Sequence, residues 1–170
     1  ASSLLRVKKD TEQQHVALAI PVCNQYHQDR FALCLFSLLF GGDMSSRLFV
    51  NVREKLGLVY SIHSELELSD IGGNLKIVFS CTPQNTQKVI EVVNQELNNL
   101  VEGGVTEEEL AKYRNQWHMQ RLFGSEITSK VNSRAVESIS VYNQFITVED
   151  ELKIINAITI DDINQVIRKY

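Results

Sequence analysis

Arg53 and Tyr60 stand seven residues apart in the run GGDMSSRLFVNVREKLGLVY, residues 41–60. A planar guanidinium and a phenol held side by side can grip a peptide carbonyl or a developing oxyanion. The residue types alone leave a plainer reading open. An arginine near a helix C-terminus suits the helix dipole while solvated, and Tyr60 shares parity with Leu58 and Ile62, which would place it in a core. A second cluster, His63, Glu65 and Glu67, falls on one side of an alternating stretch. A solvated polar face explains it better than a metal site. None of the four histidines lies in HExxH or HxxEH. His15 falls on the polar side of its strand pattern, and His118 sits beside Trp117 on a helix, where surface or packing roles are commoner. The expectation is that this chain supplies no metal ligand. GxSxG is absent, and the glycine pairs at 41–42, 72–73 and 103–104 lack phosphate-loop spacing, so they read as turns.

Those candidates need elements to position them. Residues 14–22 alternate, with Val16, Leu18, Ile20 and Val22 on one side, and predict a strand. Pro21 on the other side suits an edge or a strand end. Residues 29–40 predict a buried helix with Asp29 as N-cap, stopped by Gly41-Gly42. Asp43 is then expected to cap a second helix, with Met44, Leu48, Val52 and Leu56 as an apolar stripe widened by Phe49. Gly57 is a natural C′ residue. From Leu58 the period becomes two: Leu58, Tyr60, Ile62, Leu66 and Leu68 face one way, and Ser61, His63, Glu65 and Glu67 the other. After SDIGG the alternation resumes with Leu75, Ile77, Phe79 and Cys81, which predicts a hairpin.

The remainder is helical. A helix from Asn85 or Thr86 carries Val89, Val93, Leu97 and Leu100 and stops at Gly103-Gly104. Thr106 with Glu109 forms a capping box for the next, on which Leu110, Tyr113 and Trp117 align. A break near Gly124 precedes a helix from about 126 to 142, and Thr147/Asp150 and Thr159/Asp162 mark two shorter ones. The order predicts an α+β fold: an antiparallel sheet with helices packed on one face.

A chain of 170 residues with 44% apolar content fits a single domain, 1–170. A net charge of −4 and scattered basic residues give no footprint for nucleic acid. The longest apolar run, Phe31–Phe40, is too short to span a bilayer. Three cysteines, Cys23, Cys34 and Cys81, form no CxxC pair. Cys34 and Cys81 read as buried hydrophobes, and a reducing compartment such as the cytoplasm follows. Ala1-Ser2-Ser3 reads as a non-native leader, and the helical pattern from Ile160 to Tyr170 breaks off, as in a piece excised from a longer protein.

The run GGDMSSRLFVNVREKLGLVYSI resembles the C-terminal homologous half of the M16 metallopeptidases, the inverted-zincin family of pitrilysin, insulysin and mitochondrial processing peptidase. EQQHVALAIP, the GG turn at 72–73 and TEEELAKYRNQ from Thr106 extend the likeness over nearly the whole chain. The resemblance implies one of two related α+β halves that face each other, with zinc held by HxxEH in the other, N-terminal half. It also implies that Arg53 and Tyr60 are the pair that orients substrate and stabilises the tetrahedral intermediate. The expected partners are a peptide or unfolded-protein substrate, the N-terminal half, and a second subunit in a homo- or heterodimer. By itself this chain would be inactive, with zinc only in the parent protein. HxxEH, the glycine-rich loop of the processing-peptidase α subunit and a closing strand after the last helix are all absent. The alternative is an inactive structural or partner subunit, of the respiratory core-protein or processing-peptidase-α type.

Overall fold

The computed structural model describes residues 11–170; the first ten residues, Ala1-Ser2-Ser3 among them, lie outside the described residues. Three strands form one antiparallel sheet: β1 (Gln14–Val22), β2 (Ser61–Leu68) and β3 (Gly73–Cys81), in the order β1-β3-β2. Ile62 and Val16 both lie opposite Phe79, and Leu66 and Ile20 both lie opposite Leu75, so the apolar rows of all three strands fall on one face. β1 is an edge of this sheet, as Pro21 requires, because proline has no N–H to give a further neighbour.

Helices cover that face: α1 (Arg30–Gly41), α2 (Thr86–Gly103), α3 (Glu107–Ser125), α4 (Thr128–Tyr142), α5 (Val148–Ala157) and α6 (Ile160–Lys169), with a short π-wound helix at Phe49–Glu54. The other face stays exposed at His15, Ala17, Ala19, His63 and Glu65. The α+β architecture is therefore the one the alternation predicts. The core joins Phe40, Leu33 and Leu39 of α1 to Ile77 and Phe79 of β3, Val89 and Val93 of α2, and Ile163 of α6. Among the described residues no helix is long and apolar enough to cross a membrane. Cys23, Cys34 and Cys81 are free thiols; Cys81 is buried and Cys34 half-buried. Burial pushes the Cys34 thiol up to about 12, so it stays protonated and is a poor nucleophile.

Two caps differ from expectation. Asp29 precedes α1 but makes no side-chain cap; its carboxylate accepts from Lys169 Nζ at 2.7 Å and Tyr170 Oη at 2.9 Å, tying the last helix to the first. A charged amine and a phenol outcompete a backbone amide for that carboxylate. Asp43 caps a turn, accepting from Ser45 N at 2.9 Å, and the π helix begins later. Leu48 and Val52 are fully buried, as the stripe requires, whereas Met44 and Leu56 lie beyond the ends of that short helix and are exposed.

The π helix is pinned to α3. Arg47 donates to both oxygens of Glu109, at 2.6 and 2.7 Å, and Glu109 also completes the predicted capping box by accepting from Thr106 N at 2.9 Å. Burial raises the Glu109 carboxyl, but the Arg47 hydrogen bond and the Thr106 amide outweigh it, and the net shift is below the usual 4.5. A lowered carboxylate contributes stability above its unfolded value and loses it as pH falls through the folded one. The protein is therefore expected to lose stability on acidification below about pH 4.5. Glu109→Gln is expected to cost about 1–2 kcal/mol at pH 7 and to flatten that acid limb, read as melting temperature against pH. An acid limb as steep in the variant as in the parent would mean that other carboxylates set it.

Candidate functional site

The run 49–61 passes from helix to strand around one glycine. Lys55 N–H donates to Val50 O, five residues back, at 3.0 Å, the bond of a π turn. Single π turns inside helices are frequent at functional sites. Gly57 has φ +61°, where an L side chain would be strained, and its N–H donates to Arg53 O at 3.1 Å. Leu58 N–H donates to Val52 O at 3.3 Å, and Asn85 Nδ2 donates to Leu58 O at 3.3 Å. Tyr60 N–H donates to Ser80 O at 2.8 Å, so β3 holds the backbone of Tyr60 one residue before β2 begins.

Both polar candidates sit on this junction with their side chains out. Arg53 is exposed, its guanidinium lying 4.6 Å from the Phe49 ring centroid. That contact leaves the guanidinium edge free while restricting its rotamers. Tyr60 is 54% exposed, so the core placement that its parity with Ile62 allows does not occur. Ile62 is buried and Tyr60 is not because β2 starts at Ser61; Tyr60 belongs to the turn, outside the pleat that sets the alternation. Among the described residues neither side chain has a hydrogen-bond partner, leaving both free for a ligand.

The His63 cluster is a surface face. Glu65 and Glu67 flank Lys76, whose ammonium bonds Glu67 and lies 3.8 Å from Glu65. A cation already neutralises the two carboxylates, so these residues do not fit a zinc ion, which needs free anionic or imidazole donors. Among the described residues no group of three histidine, cysteine or carboxylate side chains could hold a metal. His118 is half-buried on α3 and its Nε2 is buried without a partner.

Two sets of residues come together without a local signal in the sequence. Arg47 lies inside the quoted run, but its partner Glu109 is 62 residues away. Trp117, Arg121, Arg134 and Glu151 come together where α3, α4 and α5 meet. Trp117 and Arg121 share helical spacing, yet nothing local indicates that α4 brings Arg134 to them.

Comparisons with known proteins agree with this architecture. The profile of the peptidase M16 inactive domain matches residues 1–117. An uncharacterized zinc protease of Mycobacterium tuberculosis is 33% identical over 165 residues, which is 97% of this chain and 38% of that protein. The chain thus spans well under half of that relative's length. Among solved structures, a protease from Helicobacter pylori superposes with a TM-score of 0.88 at 21% identity, over 96% of this chain and 40% of that one. An inactive peptidase domain from Bordetella parapertussis gives 0.81 at 16% identity, over 98% of this chain and 90% of that one. With a matching profile over most of its length and the same three-stranded, helix-covered fold, the chain belongs to the peptidase M16 inactive domain family.

Proposed function

We propose that residues 1–170 form the C-terminal half of a two-half zinc endopeptidase, and that this half clamps an extended peptide. Arg53 orients the scissile carbonyl, and Tyr60 donates to the oxygen as it gains charge. The observation that carries this reading is the exposure of both side chains, without internal partners, on one junction fastened by Ser80 and Asn85. Donors that are positioned before charge develops need no reorganisation at the moment of reaction, and that is the source of their effect. The open edge of β1 is suited to a substrate strand, whose backbone would add ladder hydrogen bonds.

Zinc belongs to the companion half in this reading, since Lys76 already pairs with the Glu65 and Glu67 carboxylates. The relative's name, a zinc protease, supports zinc in the parent protein. A reducing compartment suits the three free thiols. Pairing of the two halves, and of two such subunits, accounts for apolar side chains left outside the core, such as Leu122 and Ile139.

The test is the double variant Arg53→Ala/Tyr60→Phe in the full-length protein. Peptide turnover is expected to fall to near background while bound zinc and melting temperature stay at parental values. Undiminished turnover would remove both residues from the mechanism. A parent protein with neither zinc nor turnover would instead assign the domain to an inactive structural or partner subunit.

A further inference from the structure

Two adjoining cavities, of about 520 and 730 Å³, open between α3 and α4 and share Trp117, Arg121, Arg134 and Glu137. Their size is that of small-ligand and peptide sites. α4 is held away from the core: over fifteen residues it buries only Ser138. The gap beneath it is built, not collapsed, because Ser138 Oγ donates to Gln144 O at 2.7 Å and accepts from Ile146 N at 2.6 Å, fastening the end of α4 to the loop that follows.

The charges around this groove do not balance internally. Glu151 faces Arg121 at 3.1 Å, and Glu67 is bonded to Lys76. Arg30 is packed against the rings of Phe31 and Tyr142, at 4.3 and 4.9 Å, and donates to His27 O at 3.2 Å. Three donors, Arg30 Nε, Trp117 Nε1 and Arg134 Nε, and one acceptor, Glu151 Oε2, are buried with no hydrogen-bond partner among the described residues, so unpaired donors outnumber unpaired acceptors. A buried donor without an acceptor is costly, so such groups mark where a ligand atom belongs. Burial raises the Glu151 carboxyl, and the nearby Arg121 and Arg134 oppose that shift. The one remaining acid, Glu137, is exposed at the mouth, and Lys130 adds a further cation along the second cavity.

We propose that the α3–α4 groove binds an acidic peptide segment, with one carboxylate received by Arg134 and the Trp117 indole N–H and a neighbouring apolar side chain resting on Phe31, Val141 and Ile146. A surplus of buried donors selects a carboxylate over an amide or an amine. The two adjoining cavities, with Phe123 exposed in the second, select a peptide over a compact anion. The site does not involve Arg53 or Tyr60, and binding to it requires no turnover.

Trp117 is the only tryptophan in the chain, so its emission reports the site directly. The chain is titrated with a blocked hexapeptide, acetyl-Ala-Glu-Asp-Phe-Leu-Ala-amide, and with the same peptide carrying Gln and Asn in place of the two acids. The acidic peptide is expected to give a saturable emission change, and its uncharged counterpart to bind at least about tenfold more weakly. Arg134→Gln is expected to weaken the acidic peptide about tenfold, with only a small drop in melting temperature, since within the chain Arg134 loses its attraction to Glu151 but no hydrogen bond. Equal binding of both peptides, indifference to Arg134→Gln, or silence of Trp117 would each overturn the proposal. Free citrate binding as tightly as the peptide would overturn it too, by showing a small-anion site.

Discussion

Tyr60→Phe in the full-length protein is expected to lower kcat for peptide hydrolysis by about 100-fold while KM moves only a few-fold. The substitution removes one hydroxyl from a side chain that is 54% exposed and has no internal partner, so folding is spared. A donor that engages the substrate oxygen only as it becomes an oxyanion contributes to the transition state and little to the ground state. Losing it lowers kcat and kcat/KM together. Arg53→Ala is expected to differ in kind. A guanidinium that orients the carbonyl also binds it in the ground state, so KM should rise as kcat falls. Arg53→Lys should recover little, because an ammonium lacks the planar fork and stacks less well over Phe49. Steady-state kinetics on a fluorogenic peptide separate these outcomes, with zinc content and melting temperature as controls. A Tyr60→Phe protein with parental kcat would leave no oxyanion role for the phenol.

Gly41→Val is expected to destabilise the protein by about 3 kcal/mol, at the upper end of overpacking costs, and to lower its melting temperature by roughly 6–12 °C. A Cβ at position 41 would lie 2.5 Å from Ser64 N, 2.8 Å from Ser64 Oγ and 3.0 Å from His63 C. These are atoms of β2, most of them backbone, so α1 and the sheet must separate. The separation would also break the buried bond in which Ser64 Oγ donates to Ser37 O at 2.6 Å. β2 follows directly from Tyr60, so the variant should lose activity at temperatures where it remains folded. Gly103→Ala is the control: nothing lies within 4 Å of a Cβ there, and its stability should match or slightly exceed the parent's. Calorimetry on the pair decides it. Equal melting temperatures would mean that α1 slides on β2 without cost.

Gly41 also shows how far local pattern reading reaches. In the sequence it is a helix stop; in the structure it is the last residue of α1, buried, with its backbone against β2. A stop signal is local and legible. A close approach depends on which strand lies across, and that follows from the packing of residues 41 and 64. Tyr60 teaches the same lesson in reverse. Its parity with Ile62 predicts burial, but parity holds only within a paired strand, and the ladder to β3 makes Ser61 the first strand residue.

The amino-acid sequence by itself determined the elements. Three alternating runs, helix periods, the capping boxes at Thr106 and Thr159 and the positive φ at Gly57 all rest on neighbours a few residues apart, and apart from the late start of the helix after Asp43 they appear where the residues predict. It also carried the likeness of the run 41–62 to a family. Only the tertiary structure decided which side chains were left without partners. Lys76 neutralises the face that held His63, Arg47 reaches Glu109 across 62 residues, and Trp117 of α3 and Arg134 of α4 line one groove. Backbone hydrogen bonding and hydrophobic period are set by short-range geometry. Electrostatic pairing is set by distance in space, and the fold alone assigns that distance.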